Sequence, residues 1–541
     1  MKILPIKGKW IPTANIVAGV ILADHRYGAE ASVSFGTDFY MENSMYWGEM
    51  LCFKNNLKAT CFINKDDSFW NAKVPQIETT GKIEHSLYFL TDKWKNPITN
   101  VYEIIPDYYS ATWTSAGKAV FPSVTIGASK PTGNNGAGSA ILGTRYPNQG
   151  QELYDISDGA YGLDYSTMIK GTSNLSELIG VLDVIKYPME NILGRKINAG
   201  SYRNGITNGW KAMTNYILGM RNSAGRTSGS ALTSYGFKQI DDVTKLGDFY
   251  YSPSQIATNP DLGWTYNFQL NRQSSVQYES CLGTYGAGAD NYATAHVTFK
   301  AYLDTLINGN GTTIKNLFTS GGWFNEFTHW HNMKNGAGWA GTKGDIRSLY
   351  ADYLAYLNTL ISSNFVFKGG YDEIVGYHSN RDSVERVDLN DISGGFRISL
   401  RRNESIFTDL IDSPVSVVID FTGTTFEGLN FKPSKNCVGI RKISTNVFSF
   451  DLVNDCEVLT DASGIYYNFT KPTATTSIGG TNLIVTTSQK TNVVVFSEND
   501  PVTEVGRSNT MATSHTIAVG SATNLRVGIV NAIGESNLIA V

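Results

Sequence analysis

The stretch Ala31–Asn64 constrains the fold of this chain more than any other, because its residues follow the pattern strand, sharp turn, helix, strand. The first strand ends at a lone carboxylate, Asp38, just past Gly36. About four helical turns fit between it and the second strand, 59–64. A carboxylate at the carboxyl end of a parallel barrel strand lies where such folds carry out their chemistry. Asp38 is therefore the first candidate functional residue.

The composition gives no electrostatic case for binding nucleic acid and is compatible with a carbohydrate-facing surface. The net charge is −4 and the isoelectric point is about 6.0, so no broad basic surface is expected. Aromatic residues make up 12% of the chain, led by 29 tyrosines, and Asn, Ser and Thr are frequent. Rings stack on sugar faces and amides bond sugar hydroxyls. The alternative interpretation is a β-rich protein with many turns.

The sequence pattern shows neither a secretory signal nor a membrane-spanning segment. The N-terminus lacks the continuous apolar segment of a secretory signal, and no apolar run of about eighteen residues predicts a membrane span. Five scattered cysteines without a CxxC pair predict no disulfide framework, and Cys52 and Cys61 are expected to be buried thiols. We expect a virion component released by lysis, or an extracellular enzyme that has lost its signal.

The residue patterns divide the chain into three parts and predict a fold of the α/β plus all-β class. Strand and helix patterns alternate over 1–95 and again over 195–385, as in a (β/α) barrel. Residues 96–194 are rich in Gly, Asn, Ser and Tyr and are predicted to be a large insertion. Short β-branched segments over 386–541 predict one or two antiparallel β-sandwich modules. Within the barrel part, 209–225 and 343–361 are predicted to be amphipathic helices.

Several segments, in order, resemble motifs of the polysaccharide deacetylase family of carbohydrate esterases. The segment SVSFGTDFY resembles the family's first motif, a strand ending in Thr-Phe-Asp-Asp-Gly, and KATCFIN is similar to its Ala-Thr-Phe-Phe-Val strand. The segment GKIEHSLYF is similar to the His-Ser/Thr-x-x-His metal motif, and SYRNG resembles the Arg-containing groove motif. The late Leu-x-His motif has its counterpart in GGWFNEFTHWHN. The resemblance covers roughly 15–95 and 195–382 and implies a distorted (β/α) deacetylase-like barrel.

The resemblance also implies a chemistry. In that family a divalent metal, held by one Asp and two His, polarises the acetyl carbonyl and lowers the pKa of a bound water. A second Asp acts as general base, a late His protonates the leaving amine, and the motif Arg orients the base carboxylate. Carried onto this chain, the resemblance assigns Asp38 and His85 to a divalent metal such as zinc, Asp38, Arg203 and His329 to catalysis, and Tyr202, Trp323, Trp330 and His331 to substrate binding.

The chain departs from the family pattern at two positions. One carboxylate, Asp38, followed by Phe39, stands where the family has two, and Phe89 stands in place of the second metal His. Two protein ligands are too few for tight zinc, and Glu84 is a candidate substitute. The chemistry is therefore either rebuilt or lost. Structural roles stay open as well, since Asp38 can cap the following helix and His85 can be a hydrogen-bonded core histidine.

The triplet His329–Trp330–His331 is a second cluster of interest. On a strand, alternation would place both histidines on one face, which suits a metal or sugar site. A packed aromatic strand end is the alternative.

Three functions compete on this evidence. The first is removal of acetyl groups from a surface polysaccharide, as part of a phage tail or fibre. The second is an inactive structural or glycan-receptor-binding virion component. The third is a glycoside hydrolase, which needs two carboxylates about 5–10 Å apart, supplied by Asp38 with Glu326 or Asp372. Expected partners are a cell-surface glycan and other virion proteins, with homo-oligomers if the chain is a tail component, and neither nucleic acid nor a membrane.

Overall fold

The chain folds into an α/β part and all-β parts. The computed structural model describes residues 19–38, 42–63, 68–88, 93–95, 102–104, 186–201, 219–221, 238–240, 273–278, 292–311, 316–334, 345–402 and 413–541. Within these ranges a curled, mostly parallel sheet forms a half-barrel, and several antiparallel sheets accompany it. No helix in the described ranges is long and apolar enough to cross a membrane.

The half-barrel part contains most of the helices. The strands of this part of the chain are β1 (Gly19–Leu22), β2 (Ala31–Asp38), β3 (Ala59–Ile63), β4 (Ile83–Tyr88), β5 (Lys93–Lys95), β6 (Tyr102–Ile104), β7 (Ala199–Ser201), β8 (Gly219–Arg221), β9 (Lys238–Ile240), β10 (Gln273–Gln277), β11 (Trp323–Thr328) and β12 (Val366–Lys368). Strands β5 and β6 form a short antiparallel hairpin, and β1 pairs with a strand outside the half-barrel. The helices are α1 (Glu42–Asn55), α2 (Ser68–Thr80), α3 (Tyr292–Asn308), α4 (Trp330–Met333), α5 (Arg347–Ile361) and α6 (Tyr371–Asp382). Residues 186–193 are helical as well.

The remaining strands are antiparallel. They are β13 (Val384–Ile392), β14 (Gly395–Arg402), β15 (Val415–Asp420), β16 (Phe431–Pro433), β17 (Cys437–Lys442), β18 (Val447–Leu452), β19 (Cys456–Thr460), β20 (Ala474–Gly479), β21 (Asn482–Ser497), β22 (Thr503–Arg507), β23 (Ala512–Ala518), β24 (Leu525–Val530) and β25 (Ser536–Ala540).

Local sequence explains the central elements of the half-barrel. Strand β3 reads ATCFI and is buried at every position, as expected for a parallel strand covered on both faces. Helix α5 carries the predicted apolar stripe, and its members Tyr350, Tyr353, Leu354 and Leu357 are buried. Four turns of α1 fit between β2 and β3, as the sequence predicts.

Among the described residues, the parallel sheet has nine strands. Their order is β8-β7-β4-β3-β2-β11-β10-β9, and β12 pairs with the first half of β2. All pairings are parallel except the one between β9 and β10. Strand order thus follows chain order outward from β2 on one side, as successive β/α units in a barrel do. The predicted helix over 209–225 is wrong in part, because 219–221 form β8 beside β7.

Strand register assigns the residues of this sheet to two faces. On the α5 face, Tyr350 of α5 donates to Glu326 of β11 (3.1 Å). On the α6 face, the backbone N–H groups of Asp372 and Glu373 at the start of α6 donate to the Glu84 carboxylate of β4 (2.8 and 2.9 Å). Because side chains alternate along a strand, every residue paired in these rows can be placed on one face or the other.

The first sandwich follows the half-barrel in the sequence and also includes β1, the first described strand. Its two sheets have the orders β1-β15-β18-β17 and β13-β14-β19-β16, and one apolar core lies between them. Strand β1 falls within the 1–95 segment assigned above to the barrel, yet it pairs antiparallel with β15. The reason is that its alternating apolar pattern fits a half-buried sandwich strand as well as a barrel strand.

The final sheet is organised around one long strand. Two β-rich segments around 481–497, separate in the sequence pattern, form the single strand β21 of 16 residues. It pairs with β20 and β23 over one half and with β22 and β24 over the other. The predicted closing hairpin is confirmed as β24 and β25. Most of the predicted insertion 96–194 lies outside the described residues.

Candidate functional site

The carboxyl edge of the parallel sheet brings two of the predicted site residues together. Strands β2 and β11 are neighbours and pair in parallel up to Thr37 and Thr328. Asp38 follows Thr37 and His329 follows Thr328, so both residues stand at the carboxyl ends of adjacent strands. Ligands of parallel α/β sheets bind at this edge, because the connecting loops diverge there.

The triplet around His329 does not form a strand. Strand β11 ends at Thr328, His329 is extended, and the next four residues form the short helix α4. The backbone N–H of Trp330 donates to Thr37 Oγ1 (3.3 Å), which ties the start of α4 to β2. The expectation that alternation places both histidines on one face is therefore wrong, since the turn into α4 replaces alternation with helical spacing. His329 is half-buried, and the side chain of His331 lies outside the described residues.

Two tryptophans predicted to bind substrate are buried. Trp323 is 0% exposed and begins β11, at the opposite end of the strand from His329. Its indole Nε1 donates to Ser34 Oγ (2.8 Å). Trp330 is 3% exposed, and its indole Nε1 lies 3.4 Å from the Tyr350 hydroxyl. Both rings are packed among other side chains in this structure, so neither presents a face to solvent.

His85 lies on the other face of the sheet from the row that contains the Asp38 position. Asp38 pairs with Phe62, and Phe62 pairs with Ser86, so this row belongs to the α6 face. His85 is one residue earlier and is completely buried. Its Nδ1 is 3.3 Å from Glu78 Oε2 of α2, and its backbone carbonyl accepts from Arg195 (2.7 Å). Alternation thus places the Asp38 and His85 positions on different faces of the sheet.

The Glu78 carboxylate of α2 contacts both the His85 ring and the Arg195 guanidinium. Burial opposes ionisation of its carboxyl group, but the Arg195 guanidinium and the His85 ring more than offset that effect and lower its pKa to about 2. Arg195 also bonds Asp372 Oδ2 (2.7 Å). An ionised carboxylate is therefore already present beside His85, which suits a structural ion-pair network.

The other acidic candidates are held by structural hydrogen bonds. Glu84 accepts from Thr60 Oγ1 (2.7 Å) as well as from the start of α6, and burial raises its pKa. Asp372 accepts the backbone N–H groups of Asn198 and Ala199 (2.7 and 2.6 Å). Glu326 is buried on the α5 face. Glu326 therefore lies on the opposite face from the row of the Asp38 position, whereas Asp372 lies on the same face as that row and is held at the start of α6 by the backbone of Asn198 and Ala199.

The α6 face carries a chain of polar groups that sequence analysis missed. Ser34 Oγ accepts from Trp323 and donates to Asn325 Oδ1 (3.0 Å). Asn325 is completely buried, and its Nδ2 has no hydrogen-bond partner among the described residues. The signal was available, because an Asn at the centre of the strand WFNEFT interrupts an apolar core position. Asn325 lies between Trp323 and the carboxyl edge.

The amino-terminal half of that face is closed by aromatic and imidazole rings. His25 is fully buried, between Ser32 Oγ (2.7 Å) and the Gly321 carbonyl (3.1 Å), and burial lowers its pKa to about 3. Its ring meets that of His378 of α6 edge to face, with centroids 5.4 Å apart. Neutral imidazoles thus fill this end, and the carboxyl edge is left as the end available to a ligand.

Several predicted site features lie beyond what the structure describes. Tyr202 and Arg203 fall outside the described residues, as does Phe89. Among the described side chains, no group of three or more His, Cys, Asp or Glu residues is placed to hold a metal ion. The divalent metal therefore stays a prediction. Comparison with protein-family models and with curated proteins finds no match to this chain.

Proposed function

We propose that this chain is a glycan-directed protein that holds a surface polysaccharide at the carboxyl edge of its curled parallel sheet and removes acetyl groups there. The observation that carries the proposal is the adjacency of Asp38 and His329 at the ends of paired strands. A carboxylate and an imidazole carried on neighbouring strand ends can act as general base and general acid. Sugar hydroxyls also suit both groups as hydrogen-bond partners.

The reaction proposed is hydrolysis of an acetyl group. Asp38 takes a proton from water as the water oxygen attacks the acetyl carbonyl, and the bond from that carbon to the sugar oxygen or nitrogen breaks. His329 donates its proton to the departing atom, so the products are acetate and the free sugar hydroxyl or amine. Positioned general acids and bases contribute about 10²–10⁴-fold each to such reactions.

The experiment measures binding and turnover separately. The full chain is presented with a glycan array and, in solution, with N-acetylated chito-oligosaccharides and O-acetylated xylan, while acetate release is followed. We expect D38N and H329Q each to lower acetate release at least about 100-fold. D391N, which alters an exposed carboxylate of β13 in the first sandwich, is the matched control and should leave release unchanged.

The second candidate function is that of a catalytically inactive virion component that binds glycan. A separate observation supports this candidate. His85 is held by Glu78 on the α5 face, away from the row of the Asp38 position. This role predicts that the chain binds glycans on the array and that D38N and H329Q each weaken this binding about tenfold, because each removes roughly one charged hydrogen bond. No variant should release acetate. An absence of both binding and acetate release would contradict both candidates.

A further inference from the structure

Two buried cysteines of the first sandwich lie in strands of its two different sheets. Cys437 begins β17 in one sheet, and Cys456 begins β19 in the other. Both are free thiols in this structure and both belong to the apolar core between the two sheets. Cys437 is 8% exposed and Cys456 is 0% exposed, so Cys437 is the one that small molecules can reach first.

Backbone and side-chain hydrogen bonds hold the two segments side by side. The N–H of Glu457 donates to the Lys435 carbonyl (2.8 Å), and the N–H of Ser434 donates to the Glu457 carbonyl (3.1 Å). Asn436 Nδ2 donates to the Asp455 carbonyl (2.9 Å). The segment that directly precedes Cys437 is therefore fixed to the residues on either side of Cys456. The Cys437 thiol donates to the Gly439 carbonyl (3.6 Å), and its proximity raises the pKa of the Cys456 thiol.

We propose that Cys437 and Cys456 are a thiol pair poised to form an intrachain disulfide on exposure to a low-molecular-weight disulfide such as oxidised glutathione. The Cys437 thiolate attacks one sulfur of the reagent, which breaks its S–S bond and releases one thiolate. The Cys456 thiolate then attacks the Cys437 sulfur and releases the second. The protein loses two protons and two electrons, and one molecule of the reagent becomes two thiols.

The order of attack follows from the surroundings of the two sulfurs. The neighbouring Cys437 thiol, together with burial, raises the pKa of Cys456, so its thiolate is disfavoured. Thiolates are the attacking species in exchange. Cys456 therefore acts as the second, resolving thiol, once Cys437 has formed a mixed disulfide and its sulfur lies next to it.

The product would lock the sandwich. The new bond links β17 and β19 across the core and closes a loop of about 20 residues, which constrains the unfolded chain. We expect the oxidised protein to have a thermal midpoint on the order of 5–10 °C higher for the transition that unfolds this sandwich.

The test is peptide mapping of the folded, full-length chain. The protein is incubated with oxidised glutathione, the monomer is separated on a non-reducing gel, remaining thiols are alkylated after denaturation, and trypsin is added. Cleavage after Lys435, Arg441 and Lys442 places the two cysteines on separate peptides, 436–441 and 443–490, because Pro472 protects Lys471. A linked pair of these peptides, absent after reduction, is the expected result.

Matched variants assign the link. C437A and C456A should each lose it, whereas C52A, which removes a buried thiol of α1 in the half-barrel, should retain it. The measurement on the unaltered chain decides the proposal even if a core variant fails to fold. Full alkylation of Cys437 and Cys456 in the oxidised monomer, or a link found only between two chains, would overturn it.

Discussion

At the scale of single residues, buried polar side chains at the ends of strands and helices affect stability most clearly. Lys82, just before β4, is 2% exposed. Its ammonium group donates to the Gly534 carbonyl of the final sheet. Burial, together with the nearby Lys368 and Lys58, outweighs the attraction of Glu535 and lowers the pKa of Lys82 to about 7.

This lysine makes stability depend on pH. In the unfolded chain Lys82 keeps its proton up to about pH 10.5, whereas in the folded chain it loses the proton near pH 7. Between these values the unfolded state binds more protons, so the free energy of unfolding rises with pH, by up to about 1.4 kcal/mol per unit. Below pH 7 the contribution is constant. K82M should remove this slope.

The measurement is urea unfolding of the unaltered chain and K82M from pH 6 to 10. Other titrating groups cancel in the difference between the two proteins. K54M, at an exposed lysine of α1, serves as the control and should parallel the unaltered chain. Parallel curves for K82M and the unaltered chain would contradict the lowered pKa.

At the scale of elements, the carboxyl edge depends on how closely α1 approaches α4. Gly48 of α1 lies against the indole ring of Trp330, and a Cβ added at Gly48 would overlap that ring. The missing side chain therefore makes room for Trp330, which directly follows His329. A glycine in the middle of a helix is otherwise unfavourable by about 1 kcal/mol, so the packing offsets a local cost.

The corresponding prediction is that G48A destabilises the protein even though alanine favours helix. Overlap with a ring that is 3% exposed should cost about 1–3 kcal/mol net and alter the fluorescence of the displaced Trp330. Thermal unfolding and emission spectra check this. G479A is the control, because an added Cβ there meets nothing within 4 Å. A stability gain in G48A would show that Trp330 moves aside freely.

At the scale of the whole molecule, the final sheet is docked on the half-barrel through buried polar contacts. Arg507 of β22 bonds both oxygens of Glu49 of α1 (3.1 and 2.7 Å), and these side chains are 3% and 0% exposed. Gly528 of β24 lies directly over the Phe53 ring. The first sandwich is joined in a similar way, since Arg26 bonds Asp451 of β18 (3.3 Å) and also Glu373 of α6.

Loss of the Arg507 guanidinium should therefore be severe. R507A leaves the Glu49 carboxylate buried without its cation, which typically costs about 3–5 kcal/mol. R526A removes a charge from the same sheet whose pair with Glu498 (2.6 Å) is more than one-third exposed, and should cost less than about 1 kcal/mol. Guanidinium unfolding compares the two variants. Equal effects would argue that the Glu49–Arg507 contact does not hold the final sheet in place.

The sequence by itself determined the elements with strong periodic patterns and their type. The strands around Asp38 and 59–63, the stripe on α5 and the closing hairpin follow from alternation and helical spacing, because these patterns reflect which side chains must be buried. The position of Asp38 at a strand end followed from the same reasoning. Burial of the thiols Cys52 and Cys61 was also predicted correctly.

Only the tertiary structure decided which strands are neighbours and which face each residue occupies. It placed β1 in the sandwich, ended β11 before His329, and set His85 against Glu78 on the face opposite to the row of the Asp38 position. Motif spacing along a chain cannot specify these outcomes, because shifting a strand by one residue moves every side chain to the other face. Asp38 and His329 stand at neighbouring strand ends because β2 and β11, almost 300 residues apart, pair in one particular register.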